Sequence, residues 1–186
     1  MIIGIFAMSV APFSLAWFLA EHPEYVRLGS SNGDLIKPPV TTELREFTGI
    51  DAFSADNLRE LSGHWVLLTV GGEDCGPVCL ESLYKARQLS LMFGKDVPRI
   101  RRGLLLTPAA RADLPPEWAD DGRLLKLRAD AKLLDRVRAA GGKESEAGAM
   151  LLMDPLGNIM MRYAAGYDPY RVRNDLTKLL KISQIG

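Results

Sequence analysis

What most narrows the fold open to this chain is a change of period near residue 71. Residues 65–70, Trp65-Val66-Leu67-Leu68-Thr69-Val70, are apolar without alternation, the pattern of a central strand covered on both faces. Gly71-Gly72 then lets the backbone turn. After Pro77 the spacing becomes helical: Leu80, Leu83, Ala86 and Leu91, with Tyr84 beside them, share a broadly apolar face, while Glu81, Lys85, Arg87 and Gln88 fall largely elsewhere. Gly94 stops that helix. Both cysteines of the chain stand at the junction, Cys75-Gly76-Pro77-Val78-Cys79, a C-x-x-x-C spacing. Two sulfurs so placed can form a disulfide, act as a dithiol or hold a soft metal ion.

The rest of the chain extends this alternation. Residues 43–47 read as a short strand, and Ser54 as the N-cap of a short helix over residues 56–61. A second buried strand is expected at residues 102–107, then a loop and short helix over residues 108–118. A strand over residues 123–127 follows, with a helix capped by Asp130 over residues 131–140. Residues 142–147 read as a polar, exposed connection. Residues 149–153 and 159–163 form a hairpin around Asp154-Pro155-Leu156-Gly157-Asn158, where Pro fixes φ and Gly tolerates φ above zero. A last helix runs from Asp168-Pro169 to Lys181. Parallel strands joined by crossover helices, then an antiparallel hairpin, specify an α/β domain with a mixed sheet, the arrangement of a thioredoxin-like fold.

Residues 1–20 contain no charged side chain. At about 1.5 Å per residue they reach roughly 30 Å, the thickness of a bilayer core, so a transmembrane anchor is expected there, with a cleaved signal peptide as the alternative. Residues 21–42 read as a juxtamembrane linker containing Pro38-Pro39, and residues 43–186 as the globular domain. No Lys or Arg precedes the apolar run and its exit flank is acidic, which places the domain outside the cytoplasm, where a disulfide persists. Charge is balanced at 23 basic and 23 acidic residues, so no excess field favours nucleic acid.

Three segments carry a family likeness. His64-Trp65-Val66-Leu67-Leu68, Cys75-Gly76-Pro77-Val78-Cys79 and Leu151-Leu152-Met153-Asp154-Pro155-Leu156-Gly157-Asn158 resemble, in order and spacing, segments of the Sco/SenC proteins, membrane-anchored thioredoxin-like factors that deliver copper during cytochrome c oxidase assembly. Asn32-Gly33-Asp34-Leu35-Ile36-Lys37-Pro38-Pro39 and Met160-Met161-Arg162-Tyr163 look like those of a proteobacterial group of small membrane proteins linked to oxidase assembly. The resemblance implies a single-pass protein of the bacterial inner membrane, its domain in the periplasm, with an oxidase subunit or copper chaperone as partner. It also implies copper ligation by both cysteines and a histidine eight positions before the hairpin aspartate. Counting back from Asp154 reaches Glu146, and the only histidines are His22 and His64. A carboxylate is a poor substitute for imidazole at a soft Cu(I) site.

The expected activity is therefore thiol-disulfide chemistry through Cys75 and Cys79 on a copper site or copper chaperone. Cys75 is the nucleophile, favoured by the helix dipole, and Cys79 resolves. Glu73 and Asp74 oppose the thiolate. The spacing is one residue longer than the C-x-x-C of thioredoxin-like oxidoreductases, and Gly148 stands about where their cis-proline would be. The alternatives are a Cu(I) chaperone, with Cys75 and Cys79 as ligands and copper as its cargo, or an assembly scaffold. Met150, Met153, Met160 and Met161 are candidate third ligands for copper or filling for the core. Arg99, Arg101 and Arg102 read as a solvated basic edge.

Overall fold

The computed structural model describes residues 2–22, 31–72, 74–110, 113–141 and 146–183, with no side-chain description for residues 2–9 and 141. Residues 1–31 and 32–186 are separate compact units. The first holds helix α1, Ile2–Glu21, with Pro12 inside it. Among the described residues no helix is long and apolar enough to cross a membrane. The expected helix is present; the expected span over residues 1–20 is not carried by the structure.

The second unit is built on one seven-stranded sheet in the order β1-β7-β6-β3-β4-β5-β2. The strands are β1 Asp34–Thr41, β2 Phe47–Gly49, β3 Trp65–Gly72, β4 Ile100–Leu106, β5 Leu124–Ala129, β6 Met150–Met153 and β7 Asn158–Tyr163. β3, β4 and β5 are parallel, and β6, β7, β1 and β2 join antiparallel to their neighbours. The helices are α2 Ala52–Asp56, α3 Pro77–Leu91, α4 Pro116–Ala119, α5 Ala131–Gly141 and α6 Pro169–Ile182. This is the expected thioredoxin-like mixed sheet flanked by helices.

Strand parity sorts the core into two layers. Val66, Leu68, Val70, Leu105, Leu125, Leu127 and Leu151 bury one face with Leu133 and Val137 of α5. On the other face Leu67, Met150, Leu152 and Met161 pack with Val172, Leu176 and Leu180 of α6. Beside them Leu104, Leu106 and Leu124 pack with Cys79 and Leu83 of α3. Each fully buried aliphatic side chain contributes about 1.5–3 kcal/mol, so the run read as doubly covered is the centre of the domain.

Several local expectations change. Asp34–Thr41, read as part of the linker, is a strand at the sheet edge. It tolerates Pro38 and Pro39 because its pairing with β7 is interrupted between Leu35 and Val40, so neither proline removes a ladder bond. Residues 43–47 do not form a strand: Leu44–Glu46 is a 3-10 turn and pairing starts at Phe47. Asp51, not Ser54, caps α2, its carboxylate accepting from Ser54 N at 2.8 Å. The buried Ser54 hydroxyl instead accepts from Lys126 N at 2.8 Å. On α3, Leu89 is buried while Tyr84 and Leu91 are exposed. Of the polar, exposed connection expected at residues 142–147, Glu146 and Ala147 are exposed and residues 142–145 lie outside the described residues.

Candidate functional site

β3 ends at Gly72, whose positive φ of 70° lets the chain leave the sheet and approach Ala147. Cys75 follows, then Gly76 as the extended N-cap of α3 and Pro77 at its first position, where the missing N–H costs nothing. Cys75 therefore precedes the helix and Cys79 lies in its first turn. Their Cα atoms are 5.1 Å apart and their sulfurs are joined in a disulfide. Cys75 retains slight exposure and Cys79 has none. Glu73, expected to oppose a thiolate, lies outside the described residues; Asp74 is exposed beside Cys75.

The bonded pair sits in an apolar cluster with Leu83, Leu104, Leu106, Ala110, Trp118 and Leu124. Arg87 lies over the Trp118 ring at 5.9 Å. On the other side the 146–148 segment closes against α3. A Cβ added to Gly148, whose φ is +84°, would lie 2.8 Å from Val78 O and 2.7 Å from Val78 Cγ1. Gly148, expected about where the cis-proline of thioredoxin-like oxidoreductases would be, stands against the cysteine turn, and only glycine lets this segment touch it. Glu146 is exposed, and its carbonyl accepts from Ala149 N at 2.9 Å.

The remaining candidates are placed elsewhere. His64 stands at the opposite end of β3, roughly 25 Å away at about 3.3 Å per residue, with Nδ1 3.1 Å from the Glu60 and Ser62 carbonyls. His22 belongs to the first unit. Met150, Met160 and Met161 belong to the cluster packed on α6 and Met153 to the opposite face, so no methionine joins the cysteine cluster. Among the described residues there is no group of three or more His, Cys, Asp or Glu able to hold a metal ion. Among the described residues of the second unit the site thus supplies two sulfurs and no third donor for copper, and while bonded those sulfurs supply no thiolate.

The three arginines are not a solvated edge. Arg99 bonds the Leu180 and Ser183 carbonyls at 3.2 and 3.0 Å, Arg101 pairs with Glu60, and Arg102, buried, forms a two-pronged pair with Asp121 at 3.1 Å. Burial works against the Arg102 charge and lowers its pKa despite Asp121. The sequence did not draw attention to Ala110, Trp118 or Arg128 as neighbours of the cysteine cluster. The one signal was parity, since Leu124, Lys126 and Arg128 share a face of β5.

A family described as "Transmembrane-like, thioredoxin-like, C-terminal domain" matches residues 65–183, from the start of β3 to the end of α6. The chain belongs to that family. No curated protein matches it in sequence. Among solved structures, a putative electron transfer protein from Aquifex aeolicus is similar at a TM-score of 0.50 and 16% identity, over 70% of this chain and 86% of that one. Copper-bound ScoI from Bradyrhizobium japonicum is similar at 0.45 and 20% identity, over 64% and 87%. The thioredoxin domain of a thiol-disulfide oxidoreductase from Bacteroides vulgatus is similar at 0.45 and 18% identity, over 81% and 99%.

Proposed function

We propose that this protein is a thiol-disulfide exchange factor whose partner is a dithiol or disulfide on a copper-handling protein. The observation that carries the reading is the asymmetry of the Cys75–Cys79 bond. Cys75, ahead of the helix, keeps 8% exposure, and Cys79, within its first turn, keeps none.

A partner thiolate attacks Sγ of Cys75, the residue of the pair that keeps some exposure. The Cys75–Cys79 bond breaks and a mixed disulfide forms. Cys79 leaves as a thiolate at the positive end of α3, where the helix dipole favours it, and takes up a proton. The partner's second thiolate then attacks the mixed disulfide, releasing Cys75 and closing the partner's own disulfide. Two electrons have moved to this protein. Run in reverse, the reduced pair reduces the partner's disulfide and leaves two thiols ready to accept Cu(I), which is the direction proposed for the cell.

Membrane anchorage through residues 1–20, a periplasmic domain and service to cytochrome c oxidase assembly belong to the same proposal. They are supported by the uncharged N-terminal run and by the segments resembling Sco/SenC proteins. That the described residues of the second unit place no third soft donor beside Cys75 and Cys79 favours exchange over copper carriage.

The test is a redox titration of the full-length chain in glutathione buffers, read by alkylation and mass. A reduction potential between about −270 and −120 mV, the span of exchange catalysts, supports the reading; a value below about −300 mV marks a structural bond and sinks it. A reduced chain that holds one equivalent of Cu(I) against a competing chelator would favour the carrier instead.

A further inference from the structure

The α3-facing side of β5 presents Leu124, Lys126 and Arg128. Leu124 belongs to the cysteine cluster. Lys126 Nζ bonds Asp51 Oδ2 at 2.6 Å and also the Ala119 carbonyl. Arg128 lies at the C-terminal end of the same face. Its register partner on β4 is Leu106, and Leu106 and Leu104 both belong to the cysteine cluster. Arg128 Nη2 donates to Ala110 O at 3.1 Å, and Ala110 is another member of that cluster.

Arg128 differs from the other cations packed around this face. Arg102 has Asp121 and Lys126 has Asp51, whereas Arg128 makes no ion pair among the described residues, and its buried Nε has no hydrogen-bond partner. A partly buried guanidinium without a counterion carries an uncompensated desolvation cost. The bonded cysteines are neutral and offer no compensation. Once reduced, a cysteine of the pair that ionises places a thiolate on the neighbouring apolar cluster and supplies the missing negative charge.

We infer that Arg128 is a positioning residue that acts through charge, stabilising the thiolate of the reduced Cys75/Cys79 pair and tilting the pair towards its reduced form. The inference rests on the exchange reading above. It requires no direct contact with sulfur, because in a poorly hydrated interior a unit charge acts across several ångströms. Among the described residues the other charged groups around the cluster are Asp74, exposed beside Cys75, Arg87 over the Trp118 ring, exposed Glu146, and the paired Lys126 and Arg102. Asp74 and Glu146 oppose a thiolate, Arg87 assists from beyond Trp118, and the two pairs are internally neutral. Among the described residues Arg128 is the cation on this sheet face that has no ion-pair partner.

The test compares Arg128→Lys, which keeps the charge, with Arg128→Gln, which keeps a donor for Ala110 O without the charge. Full-length chains are reduced, and the pH dependence of alkylation is measured together with the equilibrium in glutathione buffer. Arg128→Gln should shift the equilibrium at least about threefold towards the disulfide and slow alkylation at neutral pH by a similar factor, while Arg128→Lys stays within about twofold of the native chain. Equal behaviour of Gln and native chains in both measurements overturns the inference, leaving the exchange reading intact if the native chain still exchanges. A native chain that never exchanges overturns the function itself. Should neither variant fold, the native thiols decide: alkylation that begins only above the ordinary thiol pKa of about 8.5 rules out a stabilising cation.

Discussion

The domain is held by different means at its cysteine turn and at the corner where β1, β7 and α6 meet. At the turn the contacts are apolar, and the strongest link is a covalent bond that electrons can open. At the corner everything converges on Asp175, which is buried on α6. Its carboxylate accepts from Asn32 N at 2.7 Å, Asn32 Nδ2 at 2.9 Å, Gly33 N at 3.2 Å and Tyr163 Oη at 3.0 Å. Burial and the neighbouring Asp175 charge hold the Tyr163 phenol well above its ordinary pKa, so it remains a donor. No redox event touches these bonds. The contrast separates two jobs: the corner ties the first strand of the domain to its last helix, and under the proposed function the turn changes redox state without touching those bonds.

The sharpest way to break this comparison is the Cys75→Ser, Cys79→Ser double variant. It should lose all thiol exchange and, under the proposed function, fail to support oxidase assembly. Its stability should fall by no more than about 2 kcal/mol, because the closed loop is short and removes little entropy from the unfolded chain. Exchange assays and chemical denaturation read the two effects separately. A variant that unfolds outright would make the disulfide structural and erase the distinction. Asp175→Ala is the mirror experiment, expected to cost about 2–4 kcal/mol because it orphans buried donors on three residues, while the Cys75/Cys79 redox equilibrium stays unchanged.

Gly148→Ala lies between the two. A positive φ and a backbone carbonyl 2.8 Å from the new Cβ predict a loss of about 1–3 kcal/mol. The strain falls on Val78, within the turn that carries Cys79, so the rate of disulfide reduction by a small thiol should change as well. A stability loss with an unchanged rate would show that the 146–148 segment supports the fold without influencing the site.

How far each region was legible in the sequence follows from what encodes it. The β3–α3 junction was readable because an unbroken apolar run and a helical period meet at Gly71-Gly72. The β6–β7 hairpin was readable because Asp154-Pro155 and Gly157 have few other uses in so short a stretch. β1 was hidden by Pro38-Pro39, which argue against a strand unless the ladder skips them, and only the pairing with β7 shows that it does. The corner was equally hidden: Asp175 and Asn32 are far apart in the chain, and neither carries a local pattern. At the site, the cysteines announced themselves, but Arg128 has no meaning until the β4–β5 register puts it beside Leu106. The expected basic edge failed for the same reason, since Glu60 and Asp121 reach the arginines from other elements.

The smallest expected effect concerns the seam between the two regions, where Tyr167 of the loop before α6 touches α3. Its hydroxyl donates to the Ser82 carbonyl at 3.1 Å, and Lys85 lies 5.7 Å from its ring centroid. Burial pushes the Tyr167 pKa up to about 12, with the Ser82 hydroxyl, which donates to the phenol oxygen at 3.3 Å, pulling the other way and the Glu81 charge adding to the rise. A pKa raised in the folded state means that the folded chain holds this proton more tightly than the unfolded chain. The resulting stabilisation is fully present below the unfolded value of about 10 and is lost as pH climbs through the folded value. Nothing should therefore change near neutrality. Between pH 10 and 12 the native chain should lose stability, and Tyr167→Phe, which has no proton to lose, should lose less. Denaturation midpoints of the two chains across that window check the prediction. Parallel curves would mean that Ser82 and Tyr167 do not couple α3 to the hairpin side of the sheet, leaving the cysteine helix held there by apolar packing alone.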